Sequence, residues 1–271
     1  MTLAEIQTAF WAKSIGQLTR ITQASGGNPL KLFNPKQTNT GLYVQMYERG
    51  FGKQDIARVH DAYGLASKMF NGRYRKTGRA FICHAVGAAS ASAQFCNDTD
   101  TVIASLMHAA YDSGQFPDGR IGKTTPQHRD FMIRSLGVSV ENILVNWMEI
   151  DFEKGDPERL VRDSVENLDQ RIIFMSLTHE VDDLADGGLA IAPKYGVSIE
   201  SRVRACAELA RAIGHEELAE AIESQGAKHE QLSWLQELKS EQLKGFWIVP
   251  NIKAYCRLRR FHSRGKSAKL F

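Results

Sequence analysis

The segment VIASLMHAAYDSGQF (Val102–Phe116) combines a run of apolar residues with side chains that can do chemistry. Its apolar spacing predicts a helix over residues 99–112. His108 closes the apolar run, and Asp112 follows it by four residues, which is one helical turn, so both can face the same cavity. His108 is therefore either a metal ligand or a polar side chain in the core. Asp112 is a candidate catalytic base beside it.

Helical periodicity also dominates the rest of the chain. No strand–helix–strand alternation, phosphate-binding glycine loop or internal repeat occurs, and segments rich in Gly, Pro and Asn at 25–41 and 113–126 read as loops. The pattern predicts an all-α protein. The remaining helices are predicted at residues 3–23, 54–71, 81–96, 126–136, 138–150, 157–180, 198–213, 215–226 and 228–244.

The composition is that of a globular chain. Of the 271 residues, 43% are hydrophobic and 24% are charged, and a chain of this length fits one large domain, or one domain with appendages, better than two equal domains. No apolar run approaches the roughly 18–20 residues of a membrane-spanning helix. The N-terminus lacks the features of a signal peptide, and the four cysteines follow no zinc-binding or redox spacing. A reduced, cytoplasmic protein is expected.

The C-terminus is strongly basic, although the net charge of the chain is only +3. Residues 253–271 hold seven Lys and Arg residues, interleaved with aromatic ones, and no acid. Such segments suit anionic lipid surfaces, which would make the protein peripheral to a membrane, or the phosphates of nucleic acid. A nucleic-acid partner rests on this tail alone and is not favoured. A solvated end without a partner is the alternative.

Three histidines differ from the other five because each lies inside an apolar helical segment. His84, His108 and His179 fall on three separate helices, and His84 lies in a segment whose Ala, Ser and Gly content allows close approach of neighbouring helices. They are either buried core histidines or the ligands of a shared divalent metal ion. Imidazole suits Zn, Fe, Ni or Cu, and neighbouring carboxylates such as Asp182 and Asp183 would add Mn.

Two basic segments flank the helices that carry these histidines. GRYRKTGR (72–79) precedes His84, and DGRIGK (118–123) follows His108. A basic rim around a metal pocket suits a phosphorylated small molecule, whereas the alternative is an ordinary charged loop. The candidate binding residues are Arg73, Arg75, Lys76, Arg120 and Lys123.

Three segments together resemble the HD-domain superfamily, and most closely the hydrolase domain of the guanosine tetraphosphate synthetase/hydrolase proteins. They are DAYGLASKMFNGRYRKTGRAFICHAVG (61–87), TVIASLMHAAYDSG (101–114) and MSLTHEVDDLAD (175–186). The resemblance covers residues 55–185 and implies an HD-like helical bundle. MHAAYDSGQFPDGRIG (107–122) also resembles an uncharacterised HD-like group that has alanine after the histidine.

The resemblance implies a role for each matching position. His84 matches the first metal-binding histidine, and His108 matches the histidine of the HD doublet. Ala109 replaces the aspartate of that doublet, and His179 stands where the last metal-binding aspartate belongs. Asp112 matches an acidic residue that is catalytic in the nucleotide hydrolases, with Ser113 in place of the second one. Arg75 or Arg73 matches the basic residue that lies against the nucleotide.

The resemblance also implies an organisation of the chain. We divide it into an N-terminal helix and loop (1–50), an HD-like helical core (51–190), C-terminal helices packed on the core (191–245) and a basic-aromatic tail (246–271). His60-Asp61 spells the motif letters but precedes the matching segment, so we assign it no role.

Three functions fit these features. The first is a metal-dependent HD-like hydrolase of a small phosphorylated or nucleotide-like molecule, with His84, His108 and His179 as ligands. The second is a non-catalytic HD-like ligand-binding or scaffold module that the basic tail recruits to a membrane surface or an anionic partner. The third, an oxygenase with two irons, needs more His and Asp ligands than these segments supply. An oligomer is compatible with each.

Overall fold

The computed structural model describes residues 33–150, 157, 159–160, 169–191, 198–230 and 245–247. The chain divides into two compact units, Met1–Phe33 and Asn34–Phe271, and the elements below belong to the second. The predicted helix at 3–23, most of the one at 228–244 and the basic tail at 253–271 lie outside the described residues.

Helices make up almost all of the described secondary structure. They are α1 (Asn39–Glu48), α2 (Lys53–Met69), α3 (Phe81–Phe95), α4 (Thr99–Met107), α5 (Ala110–Ser113), α6 (Pro126–Leu136), α7 (Val138–Trp147), α8 (Gln170–Ala185), α9 (Gly188–Ile191), α10 (Ile199–Ala212) and α11 (Glu216–Glu230). Strand β1 (Arg73–Tyr74) pairs antiparallel with β2 (Phe246–Trp247). The all-α fold class is thus confirmed. Within the described ranges, no helix is long and apolar enough to cross a membrane.

Side-chain caps fix where several helices begin. Asp98 accepts the backbone N–H groups of Asp100 and Thr101 at the start of α4. Thr125 accepts the N–H of His128 at the start of α6, whose first residue is a proline. These oxygens satisfy N–H groups that have no partner inside the helix, which is why polar residues precede apolar runs in this chain.

Three predicted helix boundaries are wrong. The helix predicted over 99–112 ends at Met107, and a turn at His108–Ala109 separates it from α5. The helix predicted over 157–180 is not continuous, since Asp169 caps a new helix that runs on to Ala185. Helix α11 runs without a break across the boundary predicted at Gly226. A Cβ at Gly226 would lie 2.6 Å from Val203 Cγ1, so this glycine serves close packing on α10 and does not end a helix.

The helices that carry the three candidate histidines are held together by a buried cluster of hydroxyl groups. Ser92 Oγ of α3 lies 2.6 Å from Ser105 Oγ of α4 and 2.8 Å from Thr178 Oγ1 of α8. The prediction that small residues let helices approach α3 closely is confirmed by these contacts. Because Ser105 and Thr178 lie within three residues of His108 and His179, the cluster fixes the register in which those histidines meet.

Helix α1 belongs to the same compact unit as this core, although it falls inside the predicted N-terminal segment 1–50. Leu42 and Met46 of α1 are fully buried. Gln45 Nε2 donates to the Ser90 carbonyl of α3 at 3.0 Å, and Ser90 Oγ donates to Gln45 Oε1 at 2.6 Å. These contacts fasten α1 to α3.

Candidate metal centre and adjoining cavity

The structure brings His84, His108 and His179 together. Their ring centroids lie 4.8–4.9 Å apart, and one nitrogen of each ring lies within 4.8 Å of the other two. His84 Nε2 and His179 Nε2 are 3.1 Å apart. Two ligands of one tetrahedral metal ion lie about 3.4 Å apart, given metal–nitrogen distances of about 2.1 Å. The rings are nearly perpendicular to each other, so the nitrogen edges converge instead of stacking.

In two of the three rings, the nitrogen that faces away from the centre carries the proton and donates it in a hydrogen bond. The nitrogen that faces the centre therefore keeps its lone pair. His108 Nδ1 donates to the Ser105 carbonyl at 2.8 Å. His84 Nδ1 lies 2.7 Å from Asp182 Oδ2 and 3.1 Å from Arg75 Nη1. A carboxylate only accepts hydrogen bonds, so the shorter contact assigns the proton of His84 to Nδ1. Outer partners of this kind orient metal-binding histidines and fix their tautomers.

Burial keeps the same two imidazoles neutral. It lowers the pKa of His108 to about 3, and the neighbouring His179 adds to the effect. Burial also lowers the pKa of His84 well below its usual value, with a further contribution from the Arg75 guanidinium. Only neutral imidazole binds a metal ion, so both side chains are ready to do so at neutral pH.

A layer of alternating arginine and aspartate side chains supports the histidines. Arg79 holds Asp182 with two hydrogen bonds of 2.8 and 2.9 Å and contacts Asp186 at 2.7 Å. Arg75 pairs with Asp183. Burial raises the pKa of Asp182 to about 6, and the paired Arg79 guanidinium opposes this rise by stabilising the ionised carboxylate. Arg79 belongs to the basic segment 72–79 that the sequence predicts to face an anionic ligand, whereas its guanidinium pairs with the carboxylates of Asp182 and Asp186.

Two aromatic side chains that sequence reasoning missed form walls of the centre. Trp147 lies 5.4 Å from the ring of His108, and its Nε1 donates to Ser176 Oγ at 2.9 Å. Phe81 lies 5.7 Å from the ring of His84 and 6.3 Å from that of His108. No motif marks either residue in the sequence, because what they share is proximity in the folded chain. Both rings lie against His108, which is buried.

A cavity of about 320 Å³ adjoins the histidines. Arg75 and Phe81 connect the cavity to the histidines, because each lines the cavity and contacts His84. Three of the five predicted anion-binding residues are brought together here. The lining comprises Arg73, Tyr74, Arg75, Lys76, Phe81, Ser113, Gly245 and Phe246.

The other two predicted anion-binding residues lie in a separate loop outside this lining. The side chain of Arg120 is 68% exposed and lies 3.7 Å from Asp118, and Lys123 is exposed. His128, for which the sequence predicts no role, is buried and anchors this loop. Its ring stacks on Phe116 at 3.8 Å and bonds the Lys123 carbonyl and Asp118.

Asp112 is exposed and lies at the edge of the cavity. The prediction that one helical turn connects it to His108 is wrong, because the turn at His108–Ala109 interrupts the helix. Its carboxylate accepts a hydrogen bond of 2.7 Å from Ser113 Oγ, and Ser113 lines the cavity. Burial lowers the pKa of Arg73, another lining residue, and the negative charge of Asp112 partly opposes that effect.

Replacing Asp182 by asparagine is expected to lower the affinity for Zn²⁺ by about 10–100-fold, because His84 loses the carboxylate that orients it. The control is Asp186→Asn, which alters another partner of Arg79 but leaves the contact of His84 with Asp182 in place. It should change the affinity by less than about threefold, as partly exposed ion pairs contribute little. Competition of metal-free protein with a chromophoric chelator measures both. Equal losses in the two variants would contradict this role of Asp182.

Comparisons with known proteins give little beyond this geometry. No protein-family model matches the sequence, and no curated protein matches it. A solved structure of a metazoan ortholog of SpoT, which hydrolyzes ppGpp and plays a role in starvation responses, is similar to this chain with a TM-score of 0.44. The two chains are 12% identical, and the match covers 64% of this chain and 95% of the other. The functional assignment therefore depends on the site itself.

Proposed function

We propose that this chain is a metal-dependent, HD-like hydrolase of a small phosphorylated or nucleotide-like molecule, with His108-Ala109 in place of the HD doublet. The observation that carries the proposal is the convergence of His84, His108 and His179 from three parts of the chain, with the nitrogens within 4.8 Å of one another. His84 and His108 are buried, neutral imidazoles with outer hydrogen-bond partners. Imidazole is an ordinary ligand of Zn, Fe or Ni and suits Mn less without a carboxylate.

The donor set fits a divalent metal ion. His84 and His108 keep their protons on Nδ1, toward Asp182 and the Ser105 carbonyl, and present Nε2 to the centre. His179 Nε2 lies at the same point and donates a hydrogen bond to His84 Nε2, so it would bind the metal ion as the tautomer with its proton on Nδ1. A metal ion bound there would supply a Lewis acid for a phosphoryl oxygen and would lower the pKa of a water molecule. Three protein ligands leave a coordination position open, as in catalytic zinc sites.

The surrounding residues have distinct tasks in this proposal. Arg73 and Lys76 bind the anionic group in the cavity, where a guanidinium and an ammonium complement phosphoryl oxygens. Arg75 helps to hold His84 and Asp183 in place. Asp112, at the cavity edge, accepts a proton from the attacking water. Arg120 and Lys123 meet the substrate only if their loop approaches the cavity, so we assign them no step.

Hydrolysis of bis(p-nitrophenyl) phosphate and p-nitrophenyl phosphate by full-length protein loaded with Zn, Mn, Fe or Ni tests this function. Asp112→Asn should lower the rate by about 100-fold or more, which is the usual contribution of a general base. Asp130→Asn is the matched control, because Asp130 is an exposed carboxylate that pairs with Arg134 on α6. Hydrolysis that persists after removal of all metal would contradict the proposal. An unchanged rate in Asp112→Asn would remove only the assigned base.

A further inference from the structure

The strand β2 places an aromatic ring in the wall of the cavity. The ring of Phe246 stacks flat on that of Tyr74, with a centroid distance of 4.8 Å and an interplanar angle of 1°. Backbone pairing of Tyr74 with Phe246 sets this register. Gly245 permits the approach, because a Cβ there would lie 3.0 Å from the Tyr74 carbonyl oxygen.

Part of the Phe246 ring remains available to a ligand. One face of the ring is covered by Tyr74, yet half of the side chain is exposed, and Phe246 lines the cavity. Phe81 lines the same cavity and contacts His84 and His108. The cavity therefore has aromatic surface in two places, from Phe81 beside the histidines and from Phe246 on strand β2.

Cationic side chains share this cavity with the aromatic surface. Arg73, Arg75 and Lys76 line it together with Phe246, and Arg73 lies on the strand that pairs with β2. Cations hold phosphoryl oxygens, whereas a flat aromatic face gains most from another flat ring. A ligand that joins an anionic group to a planar apolar ring would meet both kinds of surface.

We propose that β2 provides a ring subsite, in which Phe246 contacts a planar group attached to the phosphorus of the substrate. The inference rests on the proposed anion site and adds a determinant of specificity to it. Phe246 falls in the segment that the sequence division assigned to the basic-aromatic tail, so the tail would begin with a residue of the binding pocket.

Phenylphosphonate and methylphosphonate are suitable probes, because they carry the same anionic group, resist hydrolysis and differ in the ring. Calorimetric titration of metal-loaded, full-length protein should show phenylphosphonate binding about threefold to tenfold more tightly than methylphosphonate. Phe246→Ala should reduce this preference by about threefold or more. Phe246→Tyr, which keeps the ring, should retain the preference. Tyr47→Ala, which removes an exposed ring of α1 outside the cavity lining, should retain it as well.

Phe246→Leu separates loss of the ring from loss of the strand. Leucine keeps an apolar side chain on β2, so methylphosphonate should bind as in the wild type while the preference for phenylphosphonate falls. An unchanged preference in both Phe246→Ala and Phe246→Leu would overturn the ring subsite but leave the anion site intact. If neither phosphonate binds the wild-type protein, the anion site is absent and the ring subsite is overturned with it.

Discussion

Replacement of His179 by alanine is expected to lower the affinity for a divalent metal ion by more than about 100-fold, since loss of an outer hydrogen-bond partner alone costs about 10–100-fold. His179 Nε2 lies 3.1 Å from His84 Nε2, so the variant would remove one of three converging nitrogens and leave only His84 and His108 as ligands. Metal-dependent hydrolysis should fall to the background rate. Metal content after dialysis and the rate with each metal measure the two effects.

Two further variants make the test of His179 specific. His179→Asp should restore binding and shift the preference toward Mn, because a carboxylate is a harder ligand than imidazole. His60→Ala is the control, as His60 is an exposed histidine of α2 beside Tyr43. Retention of one tightly bound metal ion per chain in His179→Ala would show that this imidazole is not a ligand.

Gly87→Ala is expected to have the largest effect on stability among simple substitutions. A Cβ at Gly87 would lie 1.8 Å from Asp182 Oδ1 and 2.7 Å from an Arg79 nitrogen, inside the fully buried contact of α3 with α8. Either the ion pair breaks or the helices separate. Overpacking costs about 1–3 kcal/mol and a broken buried ion pair about 3–5 kcal/mol, so we expect a loss of about 1–5 kcal/mol, with the upper part of this range if the ion pair breaks. Urea unfolding followed by circular dichroism measures it.

The same substitution at Gly64 provides the matched control. Gly64 lies within α2, and a Cβ there would meet no atom within 4 Å. Gly64→Ala should therefore stabilise the protein by about 0.5–1 kcal/mol, because alanine loses less conformational freedom in a helix. A Gly87→Ala variant as stable as the wild type would contradict the described packing of Asp182 and Arg79 against α3.

The positions of the histidines could be anticipated because their signal is local. Each of His84, His108 and His179 interrupts an apolar helical face, and small residues around Ser92 indicate close helix packing. The structure places all three together and buries His84 and His108 almost completely. Helical periodicity indicates which side chains face inward without any knowledge of long-range contacts.

The surroundings of the histidines depend on contacts between residues that are distant in sequence, and no local sequence pattern predicts such contacts. The chain turns after Met107 although Ala109 and Ala110 favour helix, and the N–H of Gln115 then bonds the distant Met69 carbonyl. Because of that turn, Asp112 does not follow His108 by one turn of a continuous helix, as the sequence predicts. Phe246 reaches the cavity by pairing with Tyr74, which is far away in sequence.

Crystals of metal-loaded, full-length protein would test the central claim most directly, through anomalous scattering measured at the absorption edge of the bound metal. The account predicts one strong peak within about 2.1 Å of an imidazole nitrogen of each of His84, His108 and His179. A metal peak elsewhere, with His84 Nε2 still hydrogen-bonded to His179 Nε2 and no ion between the three rings, would contradict it.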